Sequence, residues 1–154
     1  MQITLTQKER MLLEDQKSHE QTCIQKYSNY ANQAKDGQLK DICKANEQVE
    51  RNHLDTINQL LNGTVPQMNQ QQNQSTGQNL NNAQVTGISN VSDKDICSDL
   101  LMTEKYVSGA YDTAIFEFKD TEVRDVLNHI QKEEQKHGEA IFKYMESKGM
   151  YNVQ

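Results

Sequence analysis

One combination of glutamate and histidine occurs twice in this chain, at the same spacing. The two sets are Glu20 with Glu50-x-x-His53, and Glu104 with Glu134-x-x-His137. Each residue of the first set lies 84 positions before its counterpart in the second. A glutamate and a Glu-x-x-His motif, each supplied twice, form a ligand set by which helical bundles hold two metal ions. The spacing therefore predicts a dinuclear metal site built from two copies of one helical unit.

The charge of this set supports the same prediction. All six residues fall on the apolar faces of predicted helices, and no lysine or arginine occupies those faces at the same level. Four carboxylates that meet unpaired in a core are costly to bury, and two divalent cations would neutralise them. The mixed carboxylate and imidazole ligands suit Fe, Mn or Zn better than Ca or Mg. The alternative is a polar, water-filled core with protonated carboxylates.

Four amphipathic helices must position these residues. Glycine is sparse and Pro66 is the single proline, so long helices are unobstructed. Apolar residues recur at steps of three and four, and Thr6-x-x-Glu9 is a capping box. Tyr27 and Tyr111 share the offset of the metal set and are expected to pack in the core, with a hydrogen bond near the site as the alternative. The predicted helices span about residues 6–35, 38–62, 93–119 and 121–148 of one domain, 1–154.

The segment between the second and third helices has a different composition. From Gly63 to Asn90, 13 of 28 residues are Asn or Gln and none is charged. Such a tract cannot bury enough apolar surface to fold alone. Its length suits a crossover along a helix of about 40 Å, at roughly 1.5 Å per residue. The predicted fold is all-α: an antiparallel four-helix bundle of two repeated helical hairpins, joined by one long, irregular crossover at about 63–91.

Composition excludes several classes of protein. The net charge of −6 gives no basic patch for nucleic acid and little attraction to an anionic membrane. The sequence has no apolar run near the roughly 20 residues that a membrane span needs, and its start does not resemble a signal peptide. Cys23, Cys43 and Cys97 show no CxxC spacing and are expected to be reduced thiols in an intracellular protein.

The repeated pattern resembles the ferritin-like superfamily, which includes bacterioferritin and rubrerythrin. The resemblance implies two divalent ions, Fe or Mn. It implies terminal carboxylates at Glu20 and Glu104, bridging carboxylates at Glu50 and Glu134, and terminal nitrogens at His53 and His137. This chain lacks the four-cysteine iron site of rubrerythrins, and only five residues follow Gly149, where cage ferritins have a fifth helix. Iron storage in a large shell is therefore not expected.

Longer strings in the C-terminal part carry a second, more specific resemblance. They are Asp95-Ile-Cys-Ser-Asp-Leu-Leu-Met-Thr-Glu-Lys-Tyr106, Tyr111-Asp-Thr-Ala-Ile115, Glu133-Glu-Gln-Lys-His137, Ile141-Phe-Lys-Tyr-Met145 and Gly149-Met-Tyr151. Residues 93–154 thus resemble the spore coat protein F (Coat F) family of endospore-forming bacteria. The resemblance implies cytoplasmic synthesis in the mother cell, placement in the spore coat, and partners that are other coat proteins or further copies in a homo-oligomer. It implies no reaction.

Three functions follow as hypotheses. The first is a coat protein with a dinuclear metal site, in a structural or redox role. The second is a metal-free structural coat protein that keeps a relic of the site. The third is a rubrerythrin-like peroxidase or ferroxidase in oxidative-stress defence, for which the sequence shows no electron-donor site. Whether the protein catalyses any reaction stays open.

Overall fold

The computed structural model describes residues 1–67 and 91–153. Its four helices are α1 (Gln7–Gln33), α2 (Gly37–Leu61), α3 (Asp93–Glu117) and α4 (Thr121–Ser147). The described residues form no strand, apart from an isolated bridge between Gln2 and Thr64. The all-α class is confirmed. The predicted crossover at 63–91 lies mostly outside the described residues, and it stays a prediction, as does the single domain over 1–154.

Each helix begins at a polar residue that caps its free N–H groups. The Thr6 side chain accepts from the N–H of Glu9, and the Glu9 carboxylate accepts from the N–H of Thr6, which completes the predicted capping box. Ser92 caps α3 by accepting from the N–H of Asp95. Asp36 and Asp120, 84 residues apart, cap α2 and α4 in the same way. The sequence repeat is therefore also a repeat of helix starts.

The helices pack as two hairpins, α1 with α2 and α3 with α4. α1 also packs on α3, and α2 on α4. The end of α2 lies beside the start of α1, where the N–H of Ile3 donates to the carbonyl of Gly63 at 2.8 Å. The start of α3 lies at the opposite end, beside the turn between α1 and α2. The connection from α2 to α3 therefore begins at one end of the bundle and finishes at the other.

Matching contacts hold the two hairpins together at both ends. The N–H groups of Lys35 and Asp36, in the first turn, donate to the Asp93 carboxylate at 2.9 and 3.0 Å. In the second turn the N–H of Lys119 donates to the Glu9 carboxylate at 3.1 Å. Glu9 and Asp93 are 84 residues apart, as are Lys35 and Lys119. The two hairpins are thus related by an approximate twofold axis.

The buried apolar residues form two clusters, one toward each end of the bundle. The cluster at the end where α1 begins includes Leu13, Ile57, Leu60, Val123 and Leu127. The cluster at the other end includes Leu39, Cys43, Ile96, Ile141 and Tyr144. The buried glutamates and histidines other than Glu9 lie at mid-bundle, between the two apolar clusters. The apolar clusters therefore stabilise the bundle and keep solvent from its polar middle.

We expect replacement of Glu9 by alanine to destabilise the bundle. Glu9 is buried, and its carboxylate accepts from the N–H groups of Thr6 and Lys119. Loss of these bonds leaves two donors unpaired, so the free energy of unfolding should fall by about 1–3 kcal/mol. Chemical denaturation measures the change, with exposed Glu14→Ala on the same helix as the control. Equal stability of the two variants would contradict this role of Glu9.

Candidate metal centre

The structure brings all six residues of the predicted ligand set together at mid-bundle. They are Glu20 on α1, Glu50 and His53 on α2, Glu104 on α3, and Glu134 and His137 on α4. None is more than 4% exposed. The Glu-x-x-His spacing places both side chains of a motif on one face of its helix. Each helix therefore presents part of the set to the space between the two hairpins.

The six side chains form two overlapping groups of potential metal ligands. The first is Glu20, Glu50, His53 and Glu134; the second is Glu50, Glu104, Glu134 and His137. Within each group, one ligand atom of every residue lies within 4.8 Å of the others. Glu50 and Glu134 belong to both groups, which is the position of a ligand shared by two ions.

The oxygen atoms of the shared glutamates are divided between the two histidines. His53 Nδ1 lies 3.1 Å from Glu50 Oε2 and 3.2 Å from Glu134 Oε1. His137 Nδ1 lies 3.2 Å from Glu50 Oε1 and 3.3 Å from Glu134 Oε2. Each carboxylate thus points one oxygen at each histidine. This geometry suits a carboxylate that bridges two ions, each of which also takes one imidazole nitrogen.

Two tyrosines hold the remaining glutamates in place. The Tyr27 hydroxyl donates to the Glu104 carboxylate, and the Tyr111 hydroxyl donates to Glu20. The two contacts are related by the 84-residue offset, and both join α1 to α3. Tyr27 also accepts a hydrogen bond from Asn46 at 3.3 Å. Both tyrosines are therefore more than packing residues, because each orients a carboxylate of the centre.

Several buried oxygen and nitrogen atoms of the set have no hydrogen bond of suitable geometry within the described chain. They are Glu20 Oε2, Glu50 Oε1, Glu104 Oε2, Glu134 Oε2, and both ring nitrogens of His137. A buried polar atom without a partner costs about 1–3 kcal/mol. Carboxylate oxygens and imidazole nitrogens are ligands that Fe and Mn accept. The residues present therefore fit two divalent ions, which would satisfy the carboxylate oxygens and one ring nitrogen of His137.

Burial and mutual contact change the acidity of the set. Burial, reinforced by neighbouring carboxylates, raises the pKa of Glu50 and of Glu104 to about 7. Burial by itself would lower the pKa of His137, but contacts with three glutamates outweigh it and raise the pKa to about 11. The metal-free centre therefore holds protons that oppose its negative charge. Because metal ligands must be deprotonated, metal binding has to displace them.

Glu133 is a neighbour of the centre whose contact with His53 was not predicted from the sequence. Its Oε2 lies 3.4 Å from Nε2 of His53, on the ring edge opposite the centre, and it forms an ion pair with the exposed His129. The apolar periodicity of α4 does not include Glu133, which lies beside the apolar face. The 84-residue repeat does not indicate it as a ligand either, because its counterpart is Val49. Within the described residues, no cysteine belongs to a potential ligand group.

The fold and centre define an all-α protein of two hairpins around a buried glutamate and histidine cluster. Residues 92–154 match the family model of the Coat F domain. The uncharacterized protein YusN of Bacillus subtilis (strain 168) is 35% identical over 89 residues, which cover 56% of this chain and 76% of YusN. The chain belongs to the Coat F family.

No solved structure matches the chain. Among the helices described, none has the length and apolar character that crossing a membrane requires. The Coat F match contains Glu104, Glu134 and His137 and begins after the first hairpin. Glu20, Glu50 and His53 lie outside that match, and their place in the set rests on the internal repeat and on the structure.

We expect the metal-free protein to lose stability as the pH rises. Glu50 and Glu104 have ordinary pKa values of 4.5 and folded values of about 7, so folding binds protons between them. For His137, the stabilisation is complete below its ordinary pKa of 6.5 and is lost as the pH rises toward about 11. Both effects lower the free energy of unfolding with increasing pH.

Thermal unfolding of chelator-treated protein at pH values from about 6 to about 9 measures this slope. The Glu50→Gln/Glu104→Gln variant should show a weaker decrease below pH 7, because its amides do not titrate there. A melting temperature that rises across this range in the wild-type protein would contradict the assignment of protons to the centre.

Proposed function

We propose that the protein is a metal-binding component of the spore coat, with a dinuclear Fe or Mn centre between its two hairpins. The observation that carries the proposal is the division of the Glu50 and Glu134 oxygens between His53 and His137. Two ions that share two carboxylates, with one imidazole on each ion, account for this reciprocal geometry.

Each residue has a distinct part in holding the ions. Glu50 and Glu134 would bridge them, and one imidazole would complete the ligands on each side. Glu20 and Glu104 would each bind one ion, held in place by Tyr111 and Tyr27. Fe or Mn bound in this way supplies Lewis-acid and redox chemistry. The apolar clusters above and below would limit the access of water to it.

The topology supports a place in the ferritin-like superfamily. In that class, two helical hairpins are joined by one long crossover, and each hairpin supplies a glutamate and a Glu-x-x-His motif to a dinuclear site. Here the chain leaves the first hairpin at one end of the bundle and enters the second at the other end. The ligand motifs lie on the helices that this topology requires.

Family membership supports placement in the spore coat. The Coat F domain model matches the second hairpin, and that hairpin supplies half of the centre. We infer synthesis in the mother cell and assembly with other coat proteins or with further copies of the chain. The exposed Met102, Tyr106 and Phe116 on α3 offer apolar surface for such contacts.

A metal-free structural coat protein is the second candidate. The observation that favours it is the network of ion pairs in which His53 and His137 already oppose the four carboxylates. With both imidazoles protonated, the centre would need protons on the glutamates to approach neutrality.

A rubrerythrin-like peroxidase or ferroxidase in oxidative-stress defence is the third candidate. In the described part of the chain, three buried cysteines offer no electron-donor iron site.

Added metal should stabilise the native protein and not a variant without the bridging ligands. We expect Mn²⁺ or anaerobic Fe²⁺ to raise the melting temperature of chelator-treated protein, since a ligand at 100 times its dissociation constant contributes about 2.7 kcal/mol. Glu50→Ala/Glu134→Ala should show no such shift. Glu139→Ala/Glu146→Ala removes two exposed glutamates from α4 and should respond like the wild type. Equal shifts in all three proteins would contradict a bound dinuclear centre.

A fluorescent fusion of the full chain, expressed from its own promoter in the spore-forming host, tests the location. We expect the signal to appear in the mother cell and then to surround the developing spore. Extraction of purified spores with detergent and reductant should release the protein with the coat fraction. A signal that stays diffuse, or that is present throughout vegetative growth, would favour the oxidative-stress alternative.

A further inference from the structure

The two histidines of the centre have different surroundings. His53 directs Nδ1 at the shared glutamates and Nε2 at Glu133, whose Oε2 lies 3.4 Å away. The position that corresponds to Glu133 in the first hairpin is Val49, which offers no oxygen to His137. His137 Nε2 is accordingly buried without a hydrogen-bond partner among the described residues. The approximate twofold symmetry of the centre therefore fails at these two positions.

Glu133 is well placed to hold the ring of His53. It directly precedes the shared Glu134 on α4, so its backbone is fixed by the same packing. Its side chain is only 16% exposed, and the ion pair with His129 lies on its solvent side. A carboxylate that accepts the second ring N–H of a ligating histidine fixes the tautomer and orientation of the ring, and makes the other nitrogen a stronger ligand.

We propose that Glu133 makes the Glu20 and His53 position the tighter of two unequal metal positions, so that the centre fills in two steps. Glu133 acts as a positioning residue, since it contacts His53 and not the ion. The inference rests on the proposed metal-binding function and adds an order of filling to it.

A second break in the symmetry has a weaker effect on binding. Asn46 donates to Tyr27, which donates to Glu104 on the His137 side, and the residue that corresponds to Asn46 is Ile130. This contact reaches the second ion only through a tyrosine and a carboxylate. Glu133 is one contact closer to its ion, because it bonds directly to a ligand. The difference at Glu133 therefore determines which position binds first.

Calorimetric titration of the chelator-treated full chain with Mn²⁺ tests the order. The wild-type protein should bind two ions with affinities that differ by about 10–100-fold, the usual effect of such a ligand partner. Glu133→Val should weaken the first step by a similar factor, so that the two steps merge. Glu133→Gln keeps an acceptor oxygen and should recover part of the difference. Val49→Glu should strengthen the second step.

A second measurement reports on the ring and not on affinity. In protein loaded with diamagnetic Zn²⁺, NMR of ¹⁵N-labelled histidine should show a slowly exchanging Nε2 proton on His53. Glu133→Val should lose that protection, and Glu133→Gln should keep it. Melting temperatures of the metal-free variants verify that each is folded.

The outcomes separate the two proposals. Two equal steps in the wild type, or an unchanged first step in Glu133→Val, would overturn the role of Glu133 and leave the metal centre intact. Absence of any Mn²⁺ binding to the wild type would overturn the proposed function, and the order of filling with it.

Discussion

The bundle has to balance the charge of four buried glutamates at its middle. Four glutamates with almost no solvent exposure belong to two overlapping groups, and within each group the ligand atoms lie within 4.8 Å of one another. Two protonated imidazoles would leave two negative charges, whereas two divalent cations would neutralise all four carboxylates. Isolated charges are too costly to bury, so the centre must hold either protons or metal ions. The remainder of the bundle has to tolerate both states.

The internal repeat explains how one chain builds such a centre. Each hairpin carries half of the ligands, and neither half can bring four carboxylates to one point by itself. The contacts of Glu9 and Asp93 with the opposite turns set the relative height of the hairpins. The crossed contacts from Tyr27 to Glu104 and from Tyr111 to Glu20 then join α1 to α3 at the level of the centre. The helix ends and the candidate ligands are thus related by the same approximate symmetry.

Much of this arrangement could be predicted from the sequence. Apolar periodicity and capping residues indicated four helices, and the 84-residue offset indicated which glutamates and histidines would converge. That offset depends only on the chain itself, so it reports equivalent positions without any knowledge of packing. The hydrogen bonds from Tyr27 to Glu104 and from Tyr111 to Glu20 could not be predicted in this way. They depend on the register between α1 and α3, which no turn connects directly.

Glu133 shows a different limit of sequence reasoning. A repeat reveals what the two halves share, so the 84-residue offset pairs Glu133 with Val49 but does not show that Glu133 contacts a histidine. Its contact with His53 arises across the interface between α2 and α4. The asymmetry of the centre is therefore visible only in three dimensions. In a protein with two similar metal positions, such differences determine whether the ions bind alike.

The metal content of the native protein distinguishes bound ions from bound protons at the centre. Full-length protein purified from its spore-forming host without chelator should contain about two Fe or Mn ions per chain by elemental analysis. The Glu50→Ala/Glu134→Ala protein, purified in parallel, should contain none above background. A native protein that carries no transition metal under these conditions, while folded and stable, would contradict the account and identify the cluster as a proton-balanced structural core.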